Sequence, residues 1–182
     1  MGYRNRDNRE ITDPAATDGR KVVLQDTDHL GAHHLADDAG HSRAWVWKTF
    51  TRGYNPILME MHQTNPMGDL RAGFVAARQA MGHTLMYADK MNLAMMMPGN
   101  DLASTGYCLA NPGNEYLIYQ PESGEFSVKL LEGAYFLEWF DPRTGKITKS
   151  DNAAIHGGKC FFRTPFGGDA VLHILARLDR CL

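Results

Sequence analysis

The 182 residues suffice for one medium domain or two small ones and fall short of the largest single-domain α/β folds, which need about 250. Apolar residues make up 43% and charged residues 22%, with 18 Gly and 8 Pro, a globular composition that excludes a disordered or collagen-like chain. The 19 basic and 21 acidic residues leave a net charge of −2, spread evenly, so no basic field exists for nucleic acid or an anionic membrane, and neither is expected as a partner.

Cys108, Cys160 and Cys181 are too few and too widely spaced for a disulfide scaffold or a Cys-rich zinc site. Buried free thiols are expected, although Cys108 and Cys160 could pair across neighbouring strands. The opening MGYRNRDNRE has no apolar core of a secretory leader, and the longest apolar-looking run, 92–98, is far short of a membrane span. Localisation is otherwise open.

Residues 1–20 read as a loose polar segment. Lys21 to Asp28 reads as a strand, with Val22, Leu24, Asp26 and Asp28 on one face at period two. Ser42 reads as the cap of a helix over 43–52 that closes at Gly53, with Ala44, Trp47, Phe50 and Thr51 as its buried stripe. Ile57 to Met61 reads as a second strand after Pro56. Leu70, Phe74, Ala77, Met81, Leu85, Ala88 and Met91 then recur at helical spacing behind Asp69 as cap. Gly73 and Gly82 weaken that helix and suggest close packing there, while nine of the ten Met, all between Met59 and Met97, read as core filling. Strand–helix–strand–helix implies parallel strands in an α/β segment over 21–98, whose sheet needs more strands at its edges.

A boundary falls at 98–104, where Pro-Gly-Asn-Asp stops a helix. Residues 103–178 then read as seven short strands: 106–110, 115–120, 125–130, 134–140, 146–150, 159–164 and 170–177. Turn residues separate them, and Asp141 to Gly145 has the pattern of a bulged hairpin turn with Gly145 left-handed. That spacing indicates a small β-sandwich. The fold class is therefore α+β multidomain. Trp139 reads as sandwich core. Tyr107, Tyr116, Tyr119 and Tyr135 offer an alternative carbohydrate-stacking face, although Tyr116 and Tyr119 fall on opposite sides of one strand.

Gln25-Asp-Thr-Asp-His29, Trp45-Val-Trp-Lys48 with Arg52-Gly, Asn55-Pro-Ile-Leu-Met59 and Ala88-Asp-Lys-Met91 resemble the last two strand–helix units of a family of glycoside-hydrolase-like (β/α)8 barrel proteins. Tyr107-Cys-Leu-Ala-Asn-Pro-Gly-Asn-Glu-Tyr-Leu-Ile-Tyr119, Glu138-Trp-Phe-Asp-Pro-Arg-Thr-Gly145 and Thr164-Pro-Phe-Gly-Gly-Asp169 resemble the small C-terminal β-sandwich of that family, which is named as the collagen-binding domain of a collagenase. The resemblance covers about residues 18–177 and implies a partial barrel segment followed by that sandwich, with the six preceding strands missing. It implies a parent activity of glycosidic-bond hydrolysis in polysaccharides, a glycan partner, and full-length relatives that are secreted or periplasmic. One departure is that the family's Asp-His is commonly followed by Leu-Trp-Gly, whereas His29-Leu-Gly31 here lacks the Trp, and with it an aromatic platform for a sugar ring.

Asp26, Asp28 and His29 stand where a parallel strand ends, which is the functional end of such folds. Glycoside hydrolysis uses two carboxylates, about 5–5.5 Å apart for retention and about 6.5–9.5 Å for inversion. Asp26 and Asp28, alternating on one strand face, lie about 6–7 Å apart by residue rise. The resemblance places the partner carboxylate in the missing part, and Glu60, after the next strand, is the other local candidate. The plainer reading is that Asp28 and His29 hold their loop by hydrogen bonds. Asp28, His29, His33, His34, Asp37, Asp38 and His41 match no compact metal motif, and no phosphate loop, dinucleotide fingerprint or serine elbow is present, so no metal and no cofactor are expected. His62, His83, His156 and His173 read as surface or structural. The rival functions are a non-catalytic glycan- or protein-binding sandwich, and a truncated product with no autonomous function. Strand edges of the incomplete sheet are expected to favour self-association.

Overall fold

The computed structural model of the chain describes residues 13–26, 38–58 and 72–177. The chain divides into two compact units, 1–85 and 86–182.

In the first unit, β1 (Val23–Asp26) lies parallel to β2 (Tyr54–Ile57), with Val23 opposite Tyr54 and Asp26 opposite Ile57. The parallel pair is the arrangement that the strand–helix–strand pattern predicts, but both strands are shorter or shifted. Gly53, at φ 84°, closes the preceding helix and feeds the chain directly into β2, so Pro56 sits inside the strand opposite Gln25 rather than before it. Proline accepts but cannot donate in that ladder. Leu24 is 61% exposed and Val22 82%, so the apolar side of β1 is open.

Helix α1 (Ala39–Thr51) starts earlier than expected because Asp38, not Ser42, caps it: its Oδ1 accepts from the His41 N–H at 2.9 Å. Trp45, Val46, Trp47, Thr49 and Phe50 are all buried, so the helix is covered around most of its girth rather than along the single stripe predicted. Residues 13–17, read as loose, are anchored at the end of this helix. Arg52 Nη1 meets Asp13 Oδ1 at 2.6 Å, the Tyr54 hydroxyl donates to the Ala15 carbonyl at 2.7 Å, and Thr17 N–H donates to the Arg52 carbonyl.

Helix α2 (Ala72–Lys90) runs across the division between the units. Its predicted cap, Asp69, lies outside the described residues. The buried stripe is Phe74, Ala77, Ala80, Thr84, Tyr87 and Met91. It shares the first two residues and the last with the predicted face, but Leu85 is exposed and Tyr87 takes its place. Gly82 has open space where a Cβ would stand, so no close packing explains it. The methionines are not uniformly core: Met91 and Met96 are buried, whereas Met86, Met95 and Met97 are exposed.

The second unit contains one six-stranded antiparallel sheet in the order β3-β4-β5-β8-β6-β7. Its strands are β3 (Met97–Pro98), β4 (Cys108–Asn111), β5 (Glu115–Gln120), β6 (Glu125–Asp141), β7 (Lys146–Arg163) and β8 (Ala170–Ala176). Seven expected strands in two sheets are thus five strands plus the short β3 in one sheet. The pairs 125–130 with 134–140, and 146–150 with 159–164, each fuse into one long strand.

The sheet is nevertheless folded into two layers. Phe126 and Trp139, both on β6, meet edge to face with ring centroids 6.0 Å apart. Thirteen residues of straight strand would hold them about 43 Å apart at about 3.3 Å per residue. The β6–β7 ribbon must therefore double back between them. Gly133 on β6, and Gly157 and Gly158 on β7 with φ 83° and 91°, mark the corner. A Cβ on Gly133 would stand 3.2 Å from the Tyr135 ring. One half of β6 pairs with β8 through Tyr135 to Phe140, while Val128 on the other half bridges to Ala103. Phe126, Val128, Leu130, Tyr135 and Trp139 then share one core with Tyr116, Ile118, Leu172 and Ile174.

Candidate functional site

The predicted site begins at the C-terminal end of β1. Asp26 is half-buried there, opposite Ile57. Asp28, His29 and Glu60 lie outside the described residues, as do His33, His34 and Asp37. Asp38 serves as a helix cap and His41 is exposed, which accounts for the two described members of that Asp/His run. The structure therefore gives the predicted site one carboxylate at a strand end and a neighbouring parallel strand.

The tyrosines do not form a sugar platform. Tyr107, Tyr116, Tyr119 and Tyr135 are all buried. They pack as two separate edge-to-face pairs, Tyr107 with Tyr119 at 6.0 Å and Tyr116 with Tyr135 at 6.3 Å. Trp139 is buried as predicted. Cys108 and Cys160 are both free, and Cys160 is only half-buried rather than enclosed. Burial, with the Asp101 charge, pushes the Cys108 thiol up to about 12, an inert setting.

Two sequence motifs that carry the family likeness meet in the second unit. The Asp141 carboxylate accepts from the Arg143 backbone N–H at 2.9 Å and from its guanidinium at 3.1 and 3.0 Å, which fixes the β6–β7 turn. Arg143 in turn lies over the Phe166 ring and against Gly168, where a Cβ would approach Nη1 to 3.0 Å. Next to this, the Tyr119 hydroxyl donates to Asp169 at 3.2 Å. Burial alone would raise the Asp141 carboxyl, but the Arg143 hydrogen bonds and charge outweigh it and hold it below the usual carboxylate range. These residues clasp a hairpin to a loop.

A second cluster went unread in the sequence. On the outer face of the sheet His173 stands between Leu117 on β5 and Glu138 on β6. Its Nε2 lies 2.8 Å from Glu115 Oε1, and its Nδ1 is 4.0 Å from Glu138 Oε1. Glu138 also accepts from the Tyr87 hydroxyl at 3.0 Å and from Lys90 Nζ at 2.5 and 2.7 Å. Glu115 Oε2 accepts the Asn92 N–H at 3.2 Å. Glu115, Glu138 and His173 are all buried, whereas the Lys90 side chain keeps 39% of its exposure and reaches water. Burial holds His173 below its ordinary value, against the pull of Glu115. Burial and the Glu138 charge raise the Tyr87 hydroxyl. The readable signal was polar residues, Glu138 and His173, set inside strands that are apolar on both faces.

No family model and no curated protein matches the chain by sequence. Its fold is similar to that of a solved structure described as a glycoside hydrolase, at TM-score 0.56 and 12% identity, over 76% of this chain and 37% of that one. It is similar also to a glycoside hydrolase family 5 structure from Bacteroides vulgatus, at TM-score 0.53 and 9% identity, over 76% of this chain and 36% of that one. The chain spans less than two-fifths of the length of either structure. At such identities the likeness concerns fold alone: a mixed α/β chain with two sheets, distantly resembling part of a family 5-like glycoside hydrolase fold.

Proposed function

We propose that the chain forms the C-terminal part of a glycoside-hydrolase-like barrel protein whose parent activity is hydrolysis of glycosidic bonds in polysaccharides, acting outside the cytoplasm. The two β–α units contribute Asp26 to one wall of a glycan cleft, with Asp28 and His29 next after it in sequence and Glu60 three residues after the end of β2 as further candidates. A partner carboxylate comes from the remainder of the barrel. The observation that carries this reading is the parallel β1–β2 pair with Asp26 at its C-terminal end and its apolar side, Val22 and Leu24, left open. In a closed barrel that side faces packed neighbours. The folded sheet serves as a non-catalytic module. The burial of all four tyrosines favours a bracing role for it over sugar stacking.

A direct test titrates the purified chain with a panel of β-linked oligosaccharides and assays it on aryl glycosides and polysaccharides. The expected outcome is no turnover, together with weak oligosaccharide binding that Asp26→Asn diminishes. Robust turnover abolished by Asp28→Asn would show instead that the chain holds a complete site. Absence of any binding to the whole panel would remove the glycan reading.

A further inference from the structure

We propose that Glu115, His173 and Glu138 form a pH-sensitive latch, which holds the chain from Tyr87 to Asn92 against the outer face of the folded sheet and releases it when His173 takes up a proton. The groups that face His173 are Glu115 from β5, Glu138 from β6, and Tyr87 and Lys90 from the last turn of α2.

A carboxylate only accepts, so the 2.8 Å contact with Glu115 requires the proton of a neutral His173 to sit on Nε2. Nδ1 is then a bare lone pair, and it has no hydrogen-bond partner although His173 is only 1% exposed. Its nearest carboxylate oxygen, Glu138 Oε1, stands 4.0 Å away and already accepts from Tyr87 and Lys90. Lys90, the more exposed partner, pairs with both oxygens of Glu138, while Glu115 faces His173 and the Asn92 N–H.

A proton entering the cluster lands on Nδ1. The new N–H must close about 1 Å to reach hydrogen-bond distance from Oε1, since N–H···O bonds run about 2.7–3.2 Å. The imidazolium also competes with Lys90 for the same carboxylate, from a drier position where its charge acts more strongly. Glu138 turns inward, and the Tyr87 hydroxyl and Lys90 lose their acceptor. The Asn92 N–H bond to Glu115 and the edge-to-face packing of Tyr87 on Phe140 carry no titrating partner in Glu138 and remain as the weaker hold on this stretch. Burial, which keeps the imidazole neutral near neutrality, sets the release on the acid side of the ordinary histidine range.

The experiment is native-state hydrogen exchange on the full chain from about pH 7.5 to about pH 5.5, corrected for the intrinsic pH dependence of exchange. Protection of amides 86–92 should fall by up to about tenfold per unit of pH between the ordinary histidine value of the released form and the lower value of the latched form, while amides 116–118 stay unchanged. His173→Gln, neutral throughout, should give a flat profile in 86–92. Lys90→Met, which leaves Glu138 to the histidine, should exchange faster in 86–92 at the upper pH already. In the wild type, the imidazole proton signal of His173 should titrate with the same midpoint as the amide shifts of 86–92, a readout that holds even where a variant fails to fold. A flat wild-type profile, an unchanged slope in His173→Gln, or separate midpoints for imidazole and amides would overturn the latch.

Discussion

At the scale of single residues, Glu138 sits under Tyr87 and Lys90 and beside His173, so its truncation takes an acceptor from the buried Tyr87 while the Lys90 ammonium turns to water. Taking the partner from a buried polar group costs about 1–3 kcal/mol, and Glu138→Ala should lower the denaturation midpoint accordingly. Glu138→Gln keeps the shape and the acceptor, and should cost less. Asp141 behaves differently, because the Arg143 hydrogen bonds and charge hold its carboxyl below the usual carboxylate range. The unfolded chain takes up that proton first as pH falls. The stabilisation is therefore complete above about pH 4 and is lost as pH drops from there through the lower folded value. Acid unfolding of the wild type should begin in that window, and Asp141→Asn should be less stable at neutral pH while losing less on acidification.

Among the elements, glycine positions separate what a local pattern reveals from what it hides. The hairpin at Asp141 to Gly145 is legible because its chemistry is local: Gly145 has φ 69°, and its N–H closes onto the Asp141 carbonyl at 2.9 Å. The burial of Trp139 is legible from strict alternation along its strand, and Trp139→Ala should cost about 3–5 kcal/mol as a large core truncation. Gly157 and Gly158 look in sequence like another turn, yet they are a corner in a continuous strand, because what distinguishes the two is the pairing of Gly158 with Leu130 and of His156 with Glu132 far away. Gly158 has open space around a would-be Cβ but φ 91°, so Gly158→Ala should cost about 1–2 kcal/mol from backbone conformation alone. Gly82 in α2 has the space and no such constraint. Gly82→Ala should therefore raise the unfolding free energy by about 0.5–1 kcal/mol, read from a shifted denaturation midpoint. The stripe of α2 was misread after Ala77 because Tyr87, with a hydroxyl to satisfy, outcompetes Leu85 for the buried side once Glu138 supplies an acceptor. The sequence reads His173 only as surface or structural and says nothing of Glu115 and Glu138 as its partners, because three strands bring them together and no spacing within one strand records it.

For the whole molecule, the open side of β1 sets the behaviour expected in solution. Val22 and Leu24 present apolar surface beside a strand that pairs, among the described residues, with β2 alone. Such surfaces recruit other chains, so the purified protein should elute larger than a monomer, and Leu24→Lys should shift it towards monomer without lowering the stability of residues 103–178. A monodisperse monomer in the wild type would mean that the first unit closes its own surface.

The doubled ribbon of β6 and β7 also carries a kinetic consequence. Its two strands are joined by the short turn from Pro142 to Gly145, so pairing can start there and zip outward, adding contacts at little further loop-closure cost. The first rungs to form belong to one layer, those beyond Gly157 and Gly158 to the other, and the same two strands run through both. Neither layer can then be assembled or lost as a separate piece, and the rung at Leu130 and Gly158 becomes the point at which a growing hairpin commits to becoming a core.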